Sequence, residues 1–185
     1  MKIRLATPVL LEDSIVDGEG IRTVVWTQGC AHKCPGCHNP QTHSFDDGFE
    51  LDIEEVKQQI DALEGQDGIT FSGGDPFYQV EACLELAKYI KSKKMSVWCY
   101  TGFTYEVLLS LSKNNPKIIE FLKTIDVLID GPFLLEQKSL DCVFRGSKNQ
   151  RIIDTKESLK NKKVCLVEKY YNNNKIKNNR RGLYV

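Results

Sequence analysis

The chain has 185 residues, of which 41% are hydrophobic and 27% charged, with 25 basic and 25 acidic side chains. This composition is typical of one globular domain with its own core. The balanced charge gives no general basis for binding nucleic acid or an acidic membrane surface. Because no apolar run is long enough to span a membrane and residues 1–20 lack a signal-peptide core, we expect a cytoplasmic protein.

Strand-like and helix-like patterns alternate along the chain. Strands are predicted at 21–28, 68–71, 95–100, 125–130, 151–153 and 163–167, and helices at 52–63, 79–91, 105–111 and 116–123. Asp52 with Glu55, and Asn115 before Pro116, are predicted helix starts. Strands separated by such helices imply βα units and a parallel sheet. We assign 1–171 to a single domain and predict that the Asn-rich, basic segment 172–185 is a mobile tail.

Three cysteines, Cys30, Cys34 and Cys37, follow the first predicted strand with the spacing C-x3-C-x2-C, and no fourth cysteine lies nearby in the sequence. Three thiolates can hold three irons of a four-iron cluster and leave the fourth iron open. The alternative is a zinc site completed by one histidine. The candidates for that histidine are His32, His38 and His43. A strong preceding strand and a core that needs no zinc favour the cluster, but the spacing alone leaves both open.

The other four cysteines, Cys83, Cys99, Cys142 and Cys165, are scattered along the chain. They have no partner at ligand spacing, and disulfides are rare in cytoplasmic proteins. We therefore expect each of them to be a small buried apolar residue.

Each predicted strand of the first half ends in a polar or glycine-rich segment: 28–30, 72–75, 100–102 and 130–131. Ligands of parallel α/β proteins bind at the carboxyl ends of the strands. The pair Gly73-Gly74 is either a tight turn or a place where backbone approaches a ligand closely. The cysteine loop is thus predicted to share one edge with three other candidate ligand loops.

Together these segments resemble the radical S-adenosylmethionine (SAM) family, whose marks are this cysteine loop and a Gly-Gly-Asp or Gly-Gly-Glu turn after the next strand. Within it, the chain is similar to the activating proteins of anaerobic (class III) ribonucleoside-triphosphate reductase. The similarity covers about 13–153 and rests on the segments 17–23, 28–40, 72–76, 100–103, 129–133 and 145–151.

The resemblance implies a fold, a cofactor and a site. The fold is α/β, an incomplete open (β/α) barrel with mostly parallel strands. One 4Fe-4S cluster is held by Cys30, Cys34 and Cys37, and the amino and carboxylate groups of SAM chelate the fourth iron. The expected SAM contacts are Gly36, Cys37, His38, Gly73, Gly74, Tyr100, Thr101 and Asp130.

The implied reaction makes the protein an oxidoreductase that activates a glycyl-radical enzyme. The reduced cluster passes one electron to SAM, whose bond to the 5′ carbon breaks to give methionine and a 5′-deoxyadenosyl radical. That radical takes a hydrogen atom from a glycine of the reductase. No protein general base is needed. The implied partners are the reductase and an electron donor such as flavodoxin.

Two positions depart from the family pattern. An aromatic residue often precedes the third cysteine, where it can touch adenine, but this chain has Gly36, so adenine must find its apolar surface elsewhere. The familiar Asp-Gly-Pro-Gly turn has Glu19 in place of proline, which removes the restriction on φ.

Three alternatives stay open at this point. The first is an activase of another glycyl-radical enzyme, such as pyruvate formate-lyase. The second is a radical SAM enzyme acting on a small molecule, such as a 7-carboxy-7-deazaguanine synthase. The third is a non-catalytic zinc or iron–sulfur binding module.

Overall fold

The structure is a computed structural model that describes residues 1–171, so the predicted mobile tail at 172–185 lies outside the described residues. One sheet contains eight strands: β1 (Lys2–Leu5), β2 (Leu11–Ser14), β3 (Arg22–Thr27), β4 (Phe49–Asp52), β5 (Gly68–Gly73), β6 (Ser96–Tyr100), β7 (Val127–Asp130) and β8 (Arg151–Asp154). The α-helices are α1 (Ile53–Asp61), α2 (Val80–Ser92), α3 (Tyr105–Leu111), α4 (Pro116–Thr124) and α5 (Thr155–Asn161).

The sheet is mixed and open. Its strand order is β4-β1-β3-β5-β6-β7-β8, and β2 pairs with β3 outside this path. Strands β3, β5, β6 and β7 are mutually parallel, whereas β1, β2, β4 and β8 pair antiparallel. The α/β class is confirmed, but "mostly parallel" holds only for the central four strands. The reason is that a parallel neighbour needs a crossover helix, and no α-helix separates β1 from β2, β2 from β3, or β7 from β8.

The predicted elements of the chain's middle are confirmed within a few residues, and so are two helix starts. The Glu55 carboxylate accepts a hydrogen bond from Asp52 N at 3.3 Å, and Asn115 Oδ1 accepts one from Lys117 N at 3.1 Å. The strand predicted at 163–167 is wrong, because only Leu166 forms a bridge, to Ile153. The sequence prediction also missed β1, β2, β4 and α5. β2 and β4 carry mostly exposed side chains, so they lack the apolar run that marks a buried strand.

Both faces of the sheet are covered. On one face, helices α1, α2 and α4 bury Val56, Leu86 and Phe121 in the main core. On the other face, Trp98, Ile129 and Ile152 form a smaller cluster. The segment near the end of the described region, including Tyr170, packs against this cluster as well. Successive side chains of a strand point to opposite faces of the sheet, so each strand contributes to the core on both faces. The ends of the strands are then available for a functional site. Among the helices of 1–171, none is long and apolar enough to cross a membrane.

Candidate functional site

A cleft of about 500 Å³ opens at the carboxyl ends of the four parallel strands. Its wall includes the three cysteines that follow β3, the segment 72–74 at the end of β5, the segment 100–102 at the end of β6, and Gly131 after β7. Ile15 and Val16, at its edge, are 71% and 70% exposed. The predicted convergence of the strand-end segments is therefore present in the structure.

The cysteine loop is closed at its base by backbone hydrogen bonds. Gly29, at φ +101°, turns the chain out of β3, and its N–H donates to Thr42 O at 2.9 Å. Cys30 N donates to His43 O at 3.0 Å, so both ends of the loop are tied together. Within the loop, Cys37 N donates to Cys34 O at 3.1 Å. A loop tied in this way holds its three thiols at the cleft without a disulfide.

The three thiols differ in their surroundings. Cys30 is buried, whereas Cys34 and Cys37 are half-buried. Burial raises the pKa of the Cys30 thiol, and hydrogen bonding from the backbone N–H groups of His32 and Lys33 opposes that rise. Asn39 N donates to Cys37 Sγ at 3.4 Å. Backbone N–H groups thus act on two of the three sulfurs, although at Cys30 the effect of burial prevails and the thiol pKa stays raised.

The Gly73-Gly74 pair joins the turn after β5 to the start of the cysteine loop. A Cβ built on Gly73, which has φ +98°, would come within 2.5 Å of Thr27 O. Gly74 N donates to Thr27 O at 2.7 Å and Asp75 N to Gly29 O at 3.0 Å. Both glycines also line the cleft. They are required for the tight packing of two loops, and they expose backbone to the cleft as well.

Asp75 is the centre of a buried network that the sequence prediction missed. Its carboxylate is 1% exposed and accepts hydrogen bonds from Phe77 N at 3.0 Å, Gly102 N at 2.9 Å and Thr101 Oγ1 at 2.9 Å. His32 Nε2 donates to it at 2.8 Å. The signal in the sequence was a histidine inside the cysteine loop together with an aspartate after the glycine pair. Asp75 therefore connects three of the strand-end segments.

Two of the predicted SAM contacts do not line the cleft. The Asp130 carboxylate accepts from Tyr105 N, the first N–H of α3, at 2.7 Å and from Arg151 Nε at 2.9 Å, so it is engaged in a partly buried ion pair. Gly36 lies under Leu135, whose Cδ1 would be 2.9 Å from a Cβ at that position. The other six predicted SAM contacts do line the cleft: Cys37, His38, Gly73, Gly74, Tyr100 and Thr101.

The loop between β7 and β8 brings further residues to the cleft, among them Cys142 and Arg145. Cys142 is half-buried, as is Cys165, and this differs from the predicted burial of both. Cys83 and Cys99 are buried in the core, as predicted, and burial raises the pKa of each. A sequence spacing rule could not find Cys142, because only the fold brings it near the cysteine loop.

Aromatic side chains form part of the cleft wall. The rings of His38 and Phe133 lie 4.8 Å apart. Tyr100 donates from its hydroxyl to Phe144 O at 3.0 Å, which fixes the loop after β7, and burial raises the pKa of Tyr100. The cleft thus combines thiols and backbone polar groups with an apolar wall.

The donor set fits an iron–sulfur cluster. Three free thiols on one loop face one cleft, and sulfur is the ligand that such clusters use. In the histidine-completed zinc alternative, His32 would be a poor ligand at Nε2, which is bound to Asp75. Within 1–171, no three His, Cys, Asp or Glu side chains are grouped to hold a single metal ion. A four-iron cluster makes a different demand, because each thiolate binds a different iron.

Comparison with known proteins gives two results. The family described as "4Fe-4S single cluster domain" matches residues 16–153. Proteins named anaerobic ribonucleoside-triphosphate reductase-activating protein are similar over most of the chain. That of Haemophilus influenzae Rd is 35% identical over 146 residues, 75% of this chain and 90% of that protein. That of phage T4 is 34% identical over 145 residues, which are 74% of this chain and 86% of that protein. That of Escherichia coli K12 is 32% identical over 144 residues, which are 74% of this chain and 90% of that protein.

Proposed function

Because this chain belongs to the family of anaerobic ribonucleoside-triphosphate reductase-activating proteins with a 4Fe-4S domain, we propose that it is the enzyme that generates a glycyl radical on such a reductase. The observation that carries this proposal is the cleft in which three free cysteines of one loop meet the glycine pair after β5. An iron–sulfur cluster and a small cosubstrate could both be bound there, at the carboxyl edge of the parallel strands.

We propose that Cys30, Cys34 and Cys37 hold the 4Fe-4S cluster as thiolates. A reduced cluster held by these thiolates would supply one electron for the cleavage of SAM to methionine and a 5′-deoxyadenosyl radical, which would take a hydrogen atom from the partner's glycine. The residues of the chain bind and orient. Backbone of the Gly73-Gly74 turn is proposed to accept the amino group of SAM.

The remaining wall of the cleft is proposed to position the nucleoside. Phe133 and His38 offer the apolar surface that an aromatic residue at position 36 would otherwise provide. Tyr100 and Thr101 are proposed to line the ribose and methionyl part of the pocket. No side chain is required as a general base, so the buried carboxylate of Asp75 is interpreted as structural support. Shielding of the cleft from water protects a radical from side reactions.

We also propose that the open sheet is a shortened relative of the (β/α) barrel of radical SAM enzymes. The four parallel strands would be the retained part of that barrel, and the antiparallel strands would replace the missing units. A cleft that is open at Ile15 and Val16 could admit a glycine loop of the reductase. A cytoplasmic location and an electron donor of the flavodoxin type are consistent with this proposal.

The test is anaerobic reconstitution followed by three measurements. Iron and sulfide should reach about four each per chain, as a 4Fe-4S cluster requires. On reduction with dithionite in the presence of SAM, the protein should release methionine and 5′-deoxyadenosine. On addition of the reductase, electron paramagnetic resonance (EPR) should detect a glycyl radical. Tight zinc binding without SAM cleavage would refute the proposal. A radical formed on pyruvate formate-lyase and not on the reductase would assign the chain to a different activase.

A further inference from the structure

We propose that His32 is a positioning residue for the cluster: anchored on the buried Asp75, it keeps the backbone N–H groups of His32 and Lys33 against Cys30 Sγ and thereby raises the reduction potential of the cluster. The inference rests on the proposed cluster at Cys30, Cys34 and Cys37. It assigns a task to a side chain that lies between two of these cysteines but need not bind iron.

The anchor is rigid. Asp75 is 1% exposed and receives hydrogen bonds from the segments after β5 and β6, through Phe77 N and Gly102 N. A carboxylate oxygen only accepts, so His32 donates from Nε2, at 2.8 Å from Asp75 Oδ2. Because every other contact of this carboxylate comes from the sheet edge, the hydrogen bond attaches the cysteine loop directly to β5 and β6.

The imidazole ring is also held by packing. Phe103 contacts it edge-on with a centroid distance of 4.5 Å, and the Tyr78 ring lies 5.8 Å away. A Cβ at Gly102 would come within 2.5 Å of the His32 ring, so only glycine leaves room for it there. The ring therefore occupies a fitted slot, with one polar contact at its end.

This slot determines where the adjacent backbone points. Lys33 has φ +48°, in the left-handed region, and the backbone N–H groups of His32 and Lys33 both act on the sulfur of Cys30. A reduced iron–sulfur cluster carries one more negative charge than the oxidised cluster, so N–H groups facing a ligand sulfur stabilise the reduced form. If the ring leaves its slot, the two N–H groups lose their fixed direction and the potential falls.

The Asp75 carboxylate itself is not interpreted as a ligand of SAM. It is almost completely buried and already accepts from four groups, which leaves no free face toward the cleft. Substituting Asp75 would also remove a negative charge near Cys30, which by itself raises the potential. Substitutions of His32 are therefore the cleaner test, since the Asp75 charge stays in place.

The experiment compares His32→Phe with His32→Gln in reconstituted protein, without SAM and without reductase. Phenylalanine can fill the slot but cannot donate to Asp75, whereas the glutamine Nε2 can donate from a similar distance along the side chain. In a potentiometric titration followed by EPR, we expect His32→Phe to lower the ratio of reduced to oxidised cluster about tenfold at a fixed ambient potential. For one electron this corresponds to a shift of about 59 mV. In His32→Gln, the reduction potential should lie close to that of the unsubstituted protein.

A second variant and a control keep the test decisive. Gly102→Ala pushes the ring out of its slot while leaving the histidine in the chain, and it should shift the potential in the same direction. Asp126→Asn removes a carboxylate that binds Val97 N and two lysines at the opposite end of the strands, so it should lower stability without changing the potential.

The outcomes separate this inference from the proposed function. A four-iron cluster with an unchanged potential in both His32→Phe and Gly102→Ala would overturn the inference and leave the proposed function standing. Equal shifts in His32→Phe and His32→Gln would overturn the role of the hydrogen bond to Asp75. Failure of the unsubstituted protein to bind a four-iron cluster would refute the proposed function, and the inference with it.

Discussion

Gly74 lies directly against Gly29, so that a Cβ on Gly74 would come within 2.5 Å of the Gly29 carbonyl oxygen. The turn after β5 and the first residue of the cysteine loop are in contact through bare backbone. We predict that Gly74→Ala forces the two loops apart, because the obstructing atom belongs to the main chain and cannot rotate away. The expected loss is about 1–3 kcal/mol of unfolding free energy, typical of overpacking, together with reduced iron retention.

Urea unfolding of the cluster-free protein and iron analysis after reconstitution measure these two effects. The matched control is Gly65→Asn. Gly65 also has a left-handed backbone, at φ +68°, but a Cβ there meets no atom within 4 Å, and asparagine tolerates this conformation. If Gly74→Ala behaves like the control, the contact between the two loops does not matter for the site.

The three cysteines of the loop should not be replaceable one at a time. We predict that Cys34→Ala loses the cluster, because two thiolates and no fourth protein ligand cannot retain four irons. Cys165→Ala is the control, since Cys165 is also half-buried but does not line the cleft. Visible absorption and iron content after reconstitution report the result. A full cluster in Cys34→Ala would mean that the ligands are different.

The site was more predictable from the sequence than the sheet was. The C-x3-C-x2-C spacing and the glycine pair are local, and a parallel sheet brings strand ends to one edge, so their meeting could be expected. The flanking strands were missed because pairing, and not an apolar run, creates them: β4 consists mainly of exposed residues and exists through its register with β1. The contact of His32 with Asp75 spans 43 positions in sequence, and no periodicity predicts such a pair.

Asp130 was expected to contact SAM, but its carboxylate is bound by Arg151 and Tyr105 N. The hydrogen bonds that the Arg151 guanidinium donates to the Asp130 and Glu106 carboxylates raise its pKa. We predict that Asp130→Asn lowers the unfolding free energy by about 2 kcal/mol, less than the ~3–5 kcal/mol for a fully buried pair, because Arg151 is 30% exposed. Glu106→Gln removes the exposed partner of the same arginine and should cost below about 1 kcal/mol. Equal losses in chemical denaturation would contradict this ranking.

Asp126 should make stability depend on pH in the acid range. Burial alone would raise the pKa of this carboxyl, but Lys156, Lys91 and Val97 N outweigh it and lower the pKa below the ordinary value of 3.8. A carboxyl with a lowered pKa contributes stability that is present above its unfolded pKa and is lost as the pH falls through its folded pKa. The difference in unfolding free energy between the unsubstituted protein and Asp126→Asn should therefore be constant near neutral pH and shrink below about pH 4. A difference that grows on acidification would reverse the sign and refute the assignment.

Tyr170 links the end of the described chain to the sheet, beyond residue 153, where the family match stops. Its ring packs edge-on against Phe144 and Trp98, at 5.3 and 6.0 Å, and its hydroxyl donates to Glu19 at 2.8 Å. Trp98 is 4% exposed, so removal of the Tyr170 ring should let water reach the indole.

We predict that Tyr170→Ala shifts tryptophan fluorescence to the red and lowers the unfolding free energy by about 1–3 kcal/mol, in line with the loss of an aromatic side chain that is only partly buried. Tyr170→Phe is the matched control, because it keeps the ring contacts and removes only the hydroxyl that binds Glu19. Its tryptophan fluorescence should stay unchanged, and its unfolding free energy should fall by less than about 1 kcal/mol. Trp26, the second tryptophan, lines the cleft and does not contact Tyr170, so it contributes a constant background to both variants. An unshifted emission in Tyr170→Ala would mean that this segment does not cover Trp98 in solution. A fall in unfolding free energy in Tyr170→Phe as large as in Tyr170→Ala would assign the stabilisation to the hydrogen bond with Glu19. Glu19 is the residue at the position where the familiar turn has proline.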